Sequence, residues 1–288
     1  MKSRRFSIIM PILVLPLLPI CAHAGTILLG AASSYAVLGE AGVTNTGQSL
    51  IFGNVGGSTG TPAVTGFPPG AVVPPAGVVT GSSTAFSDAT AGYNSAQGMS
   101  GAVNLTGQTL GVGLANNLVG GVYAFSSSVS LNGTLMLDAG GSNSASWIFQ
   151  IGSTLTTASA SGVQIFNAGS SGPFTGSITW VVGSAATLGT TTSFQGTIIS
   201  QAASVLNTGA TIDCGRVVSL DAAVTLDSNV ISMGNCAALA GSGGTGGTGG
   251  TGGEAPEPGT IALLAMGLLA LFLRSSVSRA AQQSKPTT

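Results

Sequence analysis

A repeated pattern in the C-terminal half constrains the fold more than any other feature of the chain. Leu188, Leu206 and Leu226 are separated by 18 and 20 residues, and paired small residues precede each of them. A short polar corner follows each Leu, and a β-branched segment such as Thr197-Ile198-Ile199 follows the corner. Short strands, polar corners and a fixed period are typical of a β-solenoid, in which each coil stacks on the next.

Two further segments, Trp147-Ile148-Phe149-Gln150-Ile151 and Ser177-Ile178-Thr179-Trp180-Val181-Val182, extend the β pattern toward the N-terminus. The stretch from about residue 83 to 99 differs from this pattern, because it lacks Pro and its apolar residues recur with helical spacing. Its apolar residues on one side are Phe86, Ala89, Tyr93 and Ala96. We expect a single helix that lies against one face of the solenoid.

The N-terminal segment, residues 1–24, has the features of a secretory signal peptide. Lys2 and two Arg residues precede an apolar run, and Ala22-His23-Ala24 forms a small-x-small cleavage site. The alternative is a membrane anchor, but the apolar run is short and is interrupted by Pro. We expect export followed by cleavage, which leaves residues 25–240 as the main domain.

The C-terminal region is expected to contain a flexible Gly/Thr linker over residues 241–254 and a processing segment over residues 255–288. That segment resembles the PEP-CTERM sorting signal through Pro256-Glu257-Pro258, an apolar helix at 261–273, Arg274 and a basic tail. Thirteen apolar residues would reach only ~20 Å, short of a ~30 Å hydrocarbon core. The run is therefore a barely sufficient anchor or a signal with transient membrane association. The resemblance implies a Gram-negative bacterium and cleavage by an exosortase.

Charged residues are scarce in the region between the signal peptide and the tail. Arg216 is its one basic residue, so nucleic-acid binding is excluded, because phosphate neutralisation needs clustered Lys and Arg. The region also lacks His and Lys for acid–base catalysis. An acid-only polysaccharide-cleaving site built from Asp213, Asp221 and Asp227 is the enzymatic alternative. We expect these to be hydrogen-bonded corner carboxylates with Arg216 as a structural partner, and no metal or cofactor.

Two cysteines, Cys214 and Cys236, remain after processing. An even pair in an exported protein favours a disulfide. A two-Cys metal site and free thiols are the alternatives, although the region has no His to complete a zinc site.

Segments spread over residues 26–236 resemble the microbial ice-binding proteins. They are Ser34-Tyr35-Ala36-Val37-Leu38-Gly39, Gly121-Val122-Tyr123-Ala124-Phe125-Ser126, Trp147 to Ile151, and Ala186 to Gln201 followed by Leu206 to Thr211. The resemblance implies a mainly β fold: a right-handed, discontinuous β-solenoid of triangular cross-section, with one long α-helix along one face. It also implies that the N- and C-terminal strands come together.

The same resemblance implies a non-enzymatic protein, secreted or at the cell surface, that binds ice through a flat Thr/Ser-rich face. Aligning the coils on the repeated Leu places Ser228 on the rung after Thr190 and Thr208. The candidate ice-binding residues are Thr190, Thr192, Ser193, Thr208, Thr211 and Ser228. The alternative function is a surface or biofilm-matrix adhesion module that binds extracellular polysaccharide without ice activity.

Overall fold

The computed structural model describes residues 25–58, 63–80, 83–234, 236 and 238–240. The chain divides into two units, residues 1–247 and 248–288. The predicted signal peptide, linker and sorting segment lie outside the described residues. Within the described residues, no helix is long and apolar enough to cross a membrane.

The described residues form short β-strands, one α-helix (α1, Ser83–Gln97) and two 3₁₀ helices (Gly30–Ser34 and Gly113–Ala115). In chain order the strands are β1 (Tyr35–Gly39), β2 (Val43–Asn45), β3 (Leu50–Phe52), β4 (Asn54–Gly57), β5 (Val64–Thr65), β6 (Ala71–Val72), β7 (Val78–Thr80), β8 (Val103–Asn104), β9 (Leu118–Val119), β10 (Gly121–Phe125), β11 (Val129–Leu131), β12 (Thr134–Asp138), β13 (Ser146–Ile151), β14 (Leu155–Thr157), β15 (Gly162–Ala168), β16 (Ser177–Val182), β17 (Ala186–Leu188), β18 (Ser193–Gln195), β19 (Thr197–Ser200), β20 (Ser204–Leu206), β21 (Thr211–Asp213), β22 (Val217–Ser219), β23 (Val224–Leu226), β24 (Val230–Ser232) and β25 (Ala238–Ala240).

These strands pair in parallel to form three sheets, and each full coil contributes one strand to each sheet. Sheet A has the order β7-β4-β1-β22-β19-β16-β13-β10-β8. Sheet B has the order β11-β14-β17-β20-β23-β2-β5. Sheet C has the order β6-β3-β24-β21-β18-β15-β12-β9, and β25 also pairs with β15. Leu188, Leu206 and Leu226 lie on successive rungs of sheet B, as the repeat predicts, so the mainly β solenoid is confirmed.

The order of coils in space differs from their order in the sequence. The first coil (β1 to β3) pairs with the last coil (β22 to β24), through Val37 opposite Val217 and Val43 opposite Val224. The chain then reaches one end of sheet A at β7 and resumes at β8, at the opposite end. The α1 helix lies in the connection between them. The two ends of the domain therefore meet inside the sheets, where neither leaves an open edge.

The α1 helix covers the outer face of sheet A. Ala85, Ala89 and Ala96 are fully buried and belong to one apolar cluster with sheet residues such as Val181 and Ile199. Small side chains permit this close approach of helix and sheet. The helix ends at Gln97, two residues before the predicted boundary, and Gly98 follows it.

The C-terminal end of α1 is held by a side chain of the sheet. Gln150 Nε2 donates to the carbonyl oxygens of Ala96, Gln97 and Met99 at 2.8, 3.2 and 2.9 Å. These carbonyls are among those that a helix end leaves without intrahelical partners. One amide of β13 therefore fixes both the end of the helix and its position on sheet A.

An aromatic column runs through the interior between the sheets. The rings of Tyr123 and Phe149 are 5.6 Å apart, those of Phe149 and Trp180 are 3.9 Å apart, and those of Trp180 and Phe194 are 4.9 Å apart. Trp180 Nε1 donates to the carbonyl oxygen of Gln195 at 3.0 Å, so the indole is buried with its polar atom satisfied. Stacked rings on successive rungs fill the interior with large side chains that have few rotamers.

A disulfide joins Cys214 to Cys236, with Cα atoms 4.5 Å apart. Cys214 lies at the corner that follows β21, and Cys236 lies between β24 and β25. The bond thus ties the segment after the last full coil to the coil before it. The structure agrees with the predicted pairing rather than with the metal or free-thiol alternatives.

Replacing Cys214 and Cys236 together with Ser should lower the free energy of unfolding by about 3 kcal/mol. The reason is that the bond closes a loop with a sequence separation of 22 residues, and opening it restores entropy to the unfolded chain. Urea titration followed by circular dichroism measures the change. Dithiothreitol should lower the unfolding midpoint of the wild type and leave the double variant unchanged. An equal response of both proteins would contradict the assignment.

Candidate binding surface

The outer faces of sheets B and C are not covered by α1. The strands of sheet B are mostly three residues long, so their first and third side chains point into the core and the middle one points outward. The middle side chain is the one that an external surface meets. Its identity on every rung therefore determines what sheet B can bind.

The outward positions of sheet B form a single column, which we name the hydroxyl ladder. From one end of the sheet to the other, its members are Ser130, Thr156, Thr187, Val205, Thr225, Thr44 and Thr65. All but Val205 carry a hydroxyl group. Each member is exposed or partly exposed. Neighbouring rungs of a sheet are about 4.8 Å apart, so the column is a regular array.

The hydroxyls of this ladder make no hydrogen bond to another described residue of the chain. Their χ1 angles are nevertheless restricted, because Thr is β-branched and lies on a strand. Behind the ladder, the inward-facing Leu188, Leu206 and Leu226 are at most 1 % exposed. A rigid core thus holds a row of hydroxyls and methyls whose polar atoms remain available to an external partner.

Small side chains lie beside the ladder and do not project beyond its hydroxyls, so the surface there is flat. Ala185, Ala203 and Ala223 each come two residues before the ladder position of their coil and are partly exposed. By strand alternation they point to the same side as the ladder. These are the paired small residues of the sequence repeat, and their role is to leave a flat surface next to the hydroxyls.

A buried amide sets the corner between sheets B and C. Asn229 is fully buried, and its Nδ2 donates to the carbonyl oxygens of Asn207 and Ala210, both at 2.9 Å. Its Oδ1 accepts from the Asp227 backbone N–H at 2.7 Å, and its own N–H donates to Ser49 Oγ at 2.9 Å. The side chain and backbone N–H of this one residue therefore connect three stacked coils at the edge of the ladder.

The predicted ice-binding residues occupy this corner and the first column of sheet C rather than one face. Thr192 is fully buried, and its hydroxyl shares a 2.8 Å hydrogen bond with that of Thr157. It is thus internal, and its assignment to a flat external face is corrected. Thr208 donates to the Asp227 carboxylate, and Ser228 donates to the same carboxylate at 3.2 Å.

The remaining three predicted residues are accessible. Thr190 is exposed at the corner, and its hydroxyl has no partner among the described residues. Ser193 and Thr211 pair on adjacent rungs of sheet C, as the alignment on Leu188 and Leu206 predicts. They are separated by the corner from the hydroxyl ladder of sheet B.

The predicted rung for Ser228 is wrong by one residue. Thr211 pairs with Val230, and the Gly209 N–H donates to the Asp227 carbonyl oxygen at 3.1 Å. Asp227 is therefore the neighbour of Thr208. The corner after Leu226 is one residue shorter than the corner after Leu206, so alignment on Leu fails there. Ser228 has a φ of 55° and matches Gly209, with a φ of 72°.

The hydroxyl ladder is not among the residues predicted from the sequence, although the sequence carries a signal for it. The motif Thr-Leu recurs in Ala186-Thr187-Leu188 and Val224-Thr225-Leu226, with the Thr in the middle of each apolar segment. An isolated polar residue between two core residues is the alternation of a half-buried strand. Reading that position in every coil would have found the column.

The acidic residues do not assemble into a catalytic site. Asp213 ends β21, Asp221 follows β22 and Asp227 follows β23, so they lie at three different corners of the coils. Asp213 accepts from the Cys214 N–H at 3.0 Å, which agrees with a corner carboxylate. Arg216 forms no ion pair within the described part of the chain, so its predicted role as a structural partner is corrected. Residues 25–240, where described, contain no cluster that could hold a metal.

These features define a class of protein: a parallel β-solenoid with a regular, uncharged column of hydroxyls and methyls on one outer face. A family model described as ice-binding-like matches residues 37–232, and one for the PEP-CTERM protein-sorting motif matches residues 254–278. The chain belongs to the ice-binding family and carries a PEP-CTERM sorting motif. This membership makes it a non-enzymatic protein.

Similar proteins support the assignment. An ice-binding protein from Nostoc sp. (strain HG1) is 42 % identical over 94 % of each chain. One from Flavobacterium frigoris is 33 % identical over 71 % of this chain and 75 % of its own. The crystal structure of an ice-binding protein from Antarctomyces psychrotrophicus is 37 % identical, with a TM-score of 0.63 over 73 % of this chain and 100 % of that one.

Replacing Asn229 with Ala should lower the free energy of unfolding by about 2 kcal/mol, because the buried Ala210 carbonyl oxygen and the partly buried Asn207 carbonyl oxygen lose their donor. Asn132→Ala is the matched control. Asn132 also follows a strand of sheet B, but it is exposed, and its side chain has no partner among the described residues. That variant should change stability by less than about 0.5 kcal/mol. Urea unfolding of both variants provides the comparison, and equal losses would contradict the role of Asn229.

Proposed function

We propose that this protein binds ice through the outer face of sheet B, with the hydroxyl ladder at its centre. The observation that carries the proposal is the column of Ser and Thr hydroxyls without partners among the described residues. The relatives named as ice-binding proteins support ice as the ligand. The protein's partner is then the surface of a crystal rather than a soluble molecule.

The chemistry of the ladder suits such a surface. Each Thr presents a methyl group and a hydroxyl group, so water beside it is ordered by apolar contact and anchored by hydrogen bonds. Short, β-branched side chains lose little rotamer entropy when they dock. The absence of charge from the ladder is also favourable, since a charged group would hold its own hydration shell against the lattice.

Sheet C is less suited to the same task. Its outer positions include Gln164, Asp213 and an exposed Phe52, so its surface is neither flat nor uniform in chemistry. The last described strand, β25, also pairs on this sheet. The chain therefore leaves the domain from sheet C, and the polypeptide that follows does not start from the proposed ice-binding face.

Thr187→Tyr, or Thr225→Tyr, should reduce ice binding by at least about tenfold, because a bulky ring in the middle of the ladder lifts the face away from the crystal. Partitioning of the full exported chain into a slowly growing ice hemisphere measures the effect, together with the shaping of single ice crystals. Circular dichroism verifies that each variant is folded.

Thr211→Tyr is the matched control, since it adds the same ring to the outer face of sheet C. It should leave partitioning unchanged. If Thr211→Tyr abolishes binding and Thr187→Tyr does not, sheet C is the binding face and the assignment to sheet B is wrong. Complete exclusion of the wild-type chain from ice would instead favour the adhesion function.

We further propose a right-handed, triangular solenoid, cleavage of residues 1–24, and display on the surface of a Gram-negative cell. Parallel strands with crossover connections are nearly always right-handed, and three sheets per coil suit a three-sided section. The sorting motif supports processing by an exosortase, with residues 261–273 in transient contact with the membrane.

Replacing Pro256, Glu257 and Pro258 with Ala should block this processing. The variant should accumulate in the membrane fraction at its uncleaved mass, whereas the native chain is released from the segment after residue 254. Mass spectrometry of both fractions distinguishes the two forms. Release of the variant at the native rate would exclude the motif as the recognition element.

A further inference from the structure

A cleft on the outer side of sheet A, away from the hydroxyl ladder, contains the one basic residue of the folded domain. Its floor is formed by strands β16 and β19 and the start of β22, and the N-terminal segment around residues 26–30 forms one wall. The cleft has a volume of about 450 Å³, which is within the range of small-molecule sites. The hydroxyl ladder does not use it, although Leu29 and Ile199 of its lining also belong to the apolar cluster under α1.

Arg216 lies in this cleft without a counter-ion. Its Nε is buried and has no hydrogen-bond partner in the described residues. The guanidinium forms no ion pair with Asp213 or any other described carboxylate. Arg216 is partly buried, and this burial lowers the pKa of its guanidinium below the usual value. A partly buried cation with no ion-pair partner among the described residues is suited to an anion from outside the chain.

Hydroxyl groups continue the row that Arg216 begins. Thr179 pairs with Thr197 on the adjacent strand, and the Ile198 N–H donates to the Arg216 carbonyl oxygen at 2.8 Å, which places Thr197 beside Arg216. All three residues line the cleft, where Arg216 and Thr197 are partly exposed and Thr179 is 4 % exposed. Neither Thr hydroxyl has a hydrogen-bond partner within the described part of the chain. Three rungs of a sheet give a row about 10 Å long.

We propose that this row binds an acidic saccharide, with Arg216 on a carboxylate and Thr179 and Thr197 on the sugar hydroxyls. A guanidinium matches a carboxylate through two parallel hydrogen bonds, which gives both charge recognition and orientation. The neighbouring apolar side chains of Ile27 and Leu28 line the cleft and are partly exposed or exposed, so they suit the faces of sugar rings. Saccharide binding in the cleft does not depend on ice binding, since the cleft and the ladder lie on different sheets.

The test uses isothermal titration calorimetry of the full exported chain with trigalacturonic acid. The matched ligand is its methyl ester, which keeps the shape and removes the negative charge. We expect saturable binding of the acid, and binding of the ester at least about tenfold weaker, as for the loss of a charge-assisted hydrogen bond. Arg216→Gln should remove the preference for the acid while ice partitioning remains at the wild-type level.

Thr197→Val provides a second variant in case Arg216→Gln does not fold. It leaves the charge of Arg216 in place and keeps the shape of the side chain at position 197. It should weaken binding of the acid severalfold. Titration with monomeric galacturonate distinguishes two sources of the ligand. If the trimer binds more tightly than the monomer, the ligand is a polymer, and if both bind equally, it is a free acidic sugar. Equal affinity for acid and ester, displacement by acetate at the same concentration, or unchanged binding in both variants would overturn the proposal.

Discussion

Parallel hydrogen bonding between successive coils determines almost every other property of this domain. It places equivalent residues of each coil about 4.8 Å apart along the same line. The aromatic column of Phe149 and Trp180, the stacked Leu residues and the hydroxyl ladder are all consequences of that alignment. A ladder of short side chains is useful for binding a lattice only if its rungs cannot shift, and the core behind it prevents the shift.

The corners adjust the register where the coils differ in length. Asn229 satisfies carbonyl oxygens of the neighbouring coil, and Ser228 takes a positive φ in a corner that is one residue shorter than the corner after Leu206. Asp227 then stands beside Thr208 and accepts its hydroxyl hydrogen. Irregularity is confined to the corners in this way, and the middle position of each strand in sheet B keeps its rung.

The sheets of the solenoid have divided roles. Sheet A is covered in part by α1, which Gln150 anchors through the carbonyl groups of Ala96 and Gln97 at the end of the helix. Sheet C carries the exit of the chain and a mixed outer surface. Sheet B is left with an uninterrupted, uncharged outer column. Arg216, which has no ion-pair partner among the described residues, lies on the remaining open part of sheet A, and this separates it from the face proposed to meet ice.

The sequence by itself determined the solenoid, the helix, the disulfide partners and the sorting motif, because period, spacing and composition are local properties. Pairing of Ser193 with Thr211 also followed from the repeat. The stacking of the first coil on the last was implied by the family resemblance, and the pairing of β1 with β22 agrees with it. Only the tertiary structure decided that Thr192 is buried and that Asp227 rather than Ser228 neighbours Thr208. Those outcomes depend on corner length and on contacts between residues about 180 positions apart, such as Asn229 and Ser49, which no periodic pattern encodes.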